Sequence, residues 1–119
     1  MSVIKVDYGE TSGGSLLVTY NYSGAYSTIF MDMPLNIIKN ISATQSSGSS
    51  KTYFFIINGI DDKTNIEYRS ATTGNTISYT ESEIENILQS HPNAFIRIRP
   101  EDGTTTITGT LDIEYILRH

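Results

Sequence analysis

TTITGTLDIEYIL, residues 105–117, alternates apolar and polar side chains over most of its length. Ile107, Leu111, Ile113, Tyr115 and Leu117 fall on one side of an extended chain. Thr108, Thr110, Asp112 and Glu114 fall on the other. A period of two is the strand period, because successive side chains leave a pleated backbone on opposite faces. The stretch therefore reads as a long strand with one face against a core. Gly109 interrupts the apolar face and marks a bulge or a bend.

The same pattern recurs upstream. Residues 101–103, Glu-Asp-Gly, form a hairpin turn, and residues 94–100 alternate with Ile96 and Ile98 on one face. Phe95, Arg97 and Arg99 take the opposite face. Strands are also expected at residues 3–8, 15–23, 26–33, 37–44, 51–60, 65–70 and 76–79, separated by turns rich in Gly, Ser, Asn and Asp. In residues 15–23, Leu16, Val18, Tyr20 and Tyr22 share one face. The run Tyr53-Phe54-Phe55-Ile56-Ile57 suggests a strand buried on both faces. Residues 45–50 read as a flexible Ser/Gly loop.

One helix interrupts the strands, at residues 81–90. Thr80 serves as N-cap, Glu83 closes a capping box, and Tyr79 with Ile84 makes a hydrophobic staple. Ile84, Ile87 and Leu88 form its apolar face, and Pro92 stops it. About eight short strands with one short helix predict a single all-β domain over residues 1–119, a jelly-roll-like antiparallel sandwich.

Composition narrows the function. The 119 residues carry a formal charge of -5 and no cysteine. Disulfides and thiolate chemistry are excluded. A phosphate backbone calls for a basic surface, so no nucleic-acid partner is expected. No apolar run approaches the roughly 20 residues that span a bilayer, and no polybasic stretch offers a membrane contact. Residues 1–6 show no signal-peptide pattern.

Candidate chemistry is sparse. The two histidines are His91, at the helix end before Pro92, and His119, the last residue. Asp61 with Asp62, and Asp112 with Glu114, are the carboxylate pairs available for glycoside chemistry. Turn hydrogen bonding explains the first pair and an acidic sheet face the second. Asn58, Asp61, Asp62 and Asn65 supply oxygen donors of the kind calcium takes, without EF-hand spacing. No enzymatic activity and no cofactor are expected. Binding is the expected mode. Glu67 and Arg69 share one strand face, as do Phe95, Arg97 and Arg99. Neighbouring strands would combine them into a mixed-charge patch with an aromatic edge. Tyr22 and Tyr26 flank the turn at residues 23–25 and are the tyrosines expected to be exposed.

Three segments, TISYTESEI (76–84), NAFIRIR (93–99) and GTLDIEY (109–115), resemble the closing part of jelly-roll modules. Such modules occur in phage tail, fibre and baseplate proteins and in carbohydrate-binding domains attached to glycosidases. The resemblance covers residues 76–117. It implies a phage virion module: a tail-fibre, baseplate or capsid-decoration component. Its partners would be other virion proteins, further copies of itself, or a host-surface glycan. Its place would be the virion, or otherwise the extracellular space or cell surface. The alternative it implies is a carbohydrate-binding module, and the strand-face reading above would put its glycan on Phe95, Arg97, Arg99, Glu67 and Arg69. Sugar-binding members usually carry a tryptophan there, and this chain has none.

Overall fold

A computed structural model describes residues 2–25, 30–59, 65–101 and 105–116. Among these described residues, nine strands and one α-helix follow in the order β1 (Ser2–Glu10), β2 (Ser15–Gly24), β3 (Met31–Pro34), β4 (Ile38–Ser47), β5 (Thr52–Asn58), β6 (Asn65–Ala71), β7 (Thr76–Tyr79), α1 (Glu81–Ser90), β8 (Ala94–Pro100) and β9 (Ile107–Ile116). A single 3-10 turn, Leu35–Ile37, leads into β4.

The strands form two sheets, ordered β1-β2-β9-β4-β7 and β3-β8-β5-β6. All neighbours are antiparallel. Only β1–β2 and β5–β6 are consecutive within a sheet; the other connections cross between sheets. With β1 set aside, β2-β9-β4-β7 over β3-β8-β5-β6 is the interleaved order of a jelly roll. The long alternating strand β9 is the central strand of the larger sheet, between β2 and β4.

The core lies between the sheets. Phe54, Ile56, Ile96 and Ile98 come from β5 and β8, and Val18, Ile41, Ala43, Leu111 and Ile113 from the facing sheet. Burying each of the larger side chains contributes roughly 1.5–3 kcal/mol. Gly109 is explained by crowding. A β-carbon there would run into the ring of Tyr22 and the Thr44 carbonyl. The expected irregularity falls on the neighbouring strand, where β4 shifts register between Gln45 and Ser47.

The helix begins as its capping signals specify. The Thr80 N–H donates to Glu83 Oε1 at 3.0 Å, and Tyr79 and Ile84 are both buried. The Ser/Gly segment departs from expectation. β4 runs on to Ser47, and Gln45 is buried. Its Nε2 donates to the Ser50 carbonyl at 2.7 Å and to Thr73 Oγ1 at 3.0 Å. Its Oε1 accepts from Thr52 Oγ1 at 2.9 Å. One amide thus fastens a segment whose composition reads as flexible. A buried amide is stable only with its bonds made, so this one orders the backbone around it.

Candidate functional site

The outward face of the four-stranded sheet is built in rows set by strand register. Asp32, Arg97, Phe55 and Tyr68 lie opposite one another across β3, β8, β5 and β6. Arg99, Tyr53 and Ser70 form the next row. Pro34, Phe95, Ile57 and Asn65 form the third. The inward positions of the same strands are the core residues Phe54, Ile56, Ile96 and Ile98. The period of two therefore separates a packed face from a presented one.

Three aromatic rings make the centre of this face. Tyr53 and Tyr68 stack with centroids 5.4 Å apart and planes at 11°. Phe55 lies 5.2 Å from Tyr53 and 5.9 Å from Tyr68. These separations are within the range at which ring pairs attract beyond their buried area. The Arg99 guanidinium sits 4.4 Å from the centre of the Phe55 ring, a cation–π contact. Arg97 is only 8 % exposed. Its Nε donates to Asp32 Oδ1 at 2.8 Å and its Nη2 to Oδ2 at 3.2 Å. This bidentate pairing fixes the guanidinium plane. Tyr53 donates its hydroxyl proton to Glu101 at 2.8 Å. That bond, with burial adding to it, pushes the phenol above its ordinary pKa. Tyr68, by contrast, is 56 % exposed and offers its outer side to solvent. Phe55, Ile57, Asn65, Arg97 and Arg99 line a recess of about 220 Å³ beside it.

Phe95, Arg97 and Arg99 thus lie together, as their alternation implies. Glu67 and Arg69 do not join them. Their register partners are Ile56 and Phe54, whose side chains point into the core. The cause is a bulge. Asn65 pairs with Ile57 and Glu67 with Ile56, leaving Ile66 as the extra residue. An extra residue reverses the face on which the following side chains fall. Asn65 consequently reaches the aromatic face while Glu67 and Arg69 turn toward β7 and α1.

Arg69 has a structural post there. It donates to the Ser78 carbonyl at 2.6 Å, pairs with Glu83, and lies 4.1 Å from the Tyr79 ring centre. The Glu83 carboxyl is held down at about 2, first by Arg69 and then by Thr80. Burial raises the Tyr79 phenol, with the neighbouring Glu67 carboxylate adding to it.

Tyr22 also departs from expectation. It is 1 % exposed, bonds Thr52 Oγ1 at 2.7 Å, and packs 5.1 Å from Phe30. β2 continues through Gly24, so the strand's alternation carries Tyr22 inward with Val18. Tyr26 lies outside the described residues, as do Asp61 and Asp62. Asn58 and Asn65 end and begin their strands. Among the described residues no group of three or more metal-ligating acids or histidines occurs.

Asp112 and Glu114 face outward from the larger sheet, as their alternation implies. Asp112 accepts from Thr19 Oγ1 at 2.7 Å, and Glu114 from Asn40 at 2.9 Å and from Ser15. Hydrogen bonds from Ser15, then Asn40, hold the Glu114 carboxyl below its usual range.

Sequence reasoning missed Tyr53, Phe55 and Tyr68. The continuous apolar run hid Tyr53 and Phe55, because an unbroken run carries no face information, and Tyr68 stood alone between Glu67 and Arg69. The available signal was the parity of Tyr53 and Phe55 against Phe54 and Ile56. No family model matches the chain, and no curated protein matches it.

Proposed function

We propose that this chain is a non-catalytic binding module that takes a glycan on the outer face of its four-stranded sheet. The observation that carries the reading is the exposed side of Tyr68, backed by Tyr53 and Phe55 and bordered by the recess at Arg97 and Arg99. The apolar C–H face of a sugar ring stacks on an aromatic plane. Its hydroxyls then need hydrogen-bonding groups at the rim, which the exposed Asn65 amide supplies. Aromatics already stacked on one another lose little side-chain entropy on binding. A glycan array with the purified chain tests this. Binding is expected, with a loss of about tenfold or more for Tyr68→Ala. No signal above background, or signal unchanged in Tyr68→Ala, would sink the assignment.

The second reading is a structural or accessory component of a phage virion. The jelly-roll strand order supports it, together with exposed apolar side chains on β1 and its neighbour: Ile4, Val6, Tyr8 and Leu17. Several exposed apolar side chains at one sheet edge suit contact with another protein better than a role in solvent.

A further inference from the structure

The bulge that turns Glu67 and Arg69 off the aromatic face also builds a second recess, of about 310 Å³, between β6 and α1. Glu83, Asn86, Ile87 and Ser90 are spaced three or four residues apart, so one stripe of the helix forms its far wall. Arg69 closes one end, its two terminal nitrogens taken by the Ser78 carbonyl and by Glu83. Glu67 is left with one long ion-pair contact among the described residues, 3.7 Å to the Arg69 Nε. Beside it lies the Tyr79 hydroxyl, the one buried side-chain polar atom without a hydrogen-bond partner among the described residues. The charged neighbours of this hydroxyl, Glu67, Arg69 and Glu83, all stand on the recess wall, and none closes a bond to it. A buried polar atom in this state points to an occupant from outside the chain.

Charge decides what the occupant is. Two carboxylates on the wall face one guanidinium, which leaves an excess of negative charge. The other end of the recess reaches Ser90 and His91, at the C-terminus of α1. Helix carbonyls carry partial negative charge there, and no basic side chain in the last turn offsets it. A divalent metal would need more ligands than the wall offers, since no three acid or histidine groups converge among the described residues. Ile66 and Ile87 add apolar surface between the polar groups. We infer that the recess binds a primary alkylammonium group. The ammonium donates to Glu67, and the Asn86 and Ser90 oxygens take its remaining protons. Its alkyl stem lies along Ile66 and Ile87, as a lysine stem does on apolar surface. A free alkylamine and a lysine side chain of another protein present this same group. The inference is independent of the glycan reading, because Glu67 and Arg69 lie on the opposite side of β6 from Tyr68.

The test is an amide chemical-shift titration of the whole chain with pentylamine and with Nα-acetyl-lysine methylamide. Saturable shifts are expected at Glu67, Arg69, Asn86 and Ile87. N-pentylacetamide, which keeps the stem and lacks the charge, is expected to leave them unmoved. Glu67→Gln should weaken binding about tenfold. Glu85→Gln, on an exposed part of the helix outside the recess, should leave it unchanged. Ser90→Lys sets an ammonium on the recess wall from within the chain and is expected to abolish the titration. Residue 90 is exposed, so this variant carries the test should Glu67→Gln fail to fold. Tighter binding of the lysine derivative assigns the recess to a lysine of another protein, and tighter binding of pentylamine to a free amine. Shifts that do not saturate overturn the proposal. So do equal shifts with N-pentylacetamide, or an equal loss in Glu85→Gln and Glu67→Gln.

Discussion

Gly109 lies beneath the Tyr22 ring, whose hydroxyl bonds Thr52, which in turn bonds Gln45. This chain of contacts crosses from one sheet to the other and fastens the segment after β4 to the core. A methyl group at residue 109 has no room unless the Tyr22 ring or the β4 backbone moves. Overpacking of this kind costs about 1–3 kcal/mol. Gly109→Ala is therefore expected to lower stability by about 2 kcal/mol, read as a fall in the urea midpoint. Shared connection gives a second readout. Amide exchange at residues 46–50 should accelerate in the same variant, because displacing Tyr22 loosens the Thr52–Gln45 anchor. A midpoint within error of the parent would mean that the crowding at Gly109 relaxes without cost.

At the scale of elements, α1 packs Ile84, Ile87 and Leu88 against the core and is tied at its first turn by a charge. Glu83 both accepts from the Thr80 N–H and pairs with Arg69 of β6. Its carboxyl is held at about 2 in the folded protein, against an ordinary value of 4.5. The unfolded chain takes up the proton more readily, so acid favours unfolding through this group. The stabilisation is fully present above the ordinary value and is lost as pH falls through the folded one. Glu83→Gln should thus lower the urea midpoint at neutral pH, with the difference from the parent closing between about pH 4.5 and 2. The pair is partly exposed, so added salt should shrink the difference as well. A gap between variant and parent that is constant across this range would show that Glu83 acts through packing and not through its charge.

The whole molecule shows which of its features are written locally. β7, α1 and β8 begin and end where short-range signals place them, at the Thr80 cap, the Pro92 stop and the alternation of residues 94–100. The jelly-roll-like sandwich follows from strand number and spacing. What local pattern does not contain is the relation between strands. Parity puts Glu67 with Arg69, and Phe95 with Arg97 and Arg99, but whether the two groups share a face depends on the bulge at Ile66. No turn residue announces that bulge. Tyr22 is legible in part: its alternation with Val18 points inward, while the Ser-Gly pair after it suggests an exposed turn. The aromatic face needed β5 and β6 in register before Tyr68 could meet Tyr53. That meeting is a property of pairing across the sheet, invisible to any window along the chain.

The position of β9 carries a consequence for the growing chain. Ser15–Gly24 and Ile38–Ser47 are made early, yet each waits for Ile107–Ile116 to fill the space between them. As the polypeptide leaves the ribosome, β2 and β4 hold two complementary edges apart for want of the strand that joins them. Such long-range closure slows folding and prolongs exposure of unpaired strands. A chain stopped before residue 107 is expected to collect in the pellet after cell lysis. Supplying residues 105–117 as a separate peptide during refolding should return part of it to solution. For this protein, then, a strand made long after its two neighbours acts as the key that commits them, and its arrival sets when the larger sheet can close.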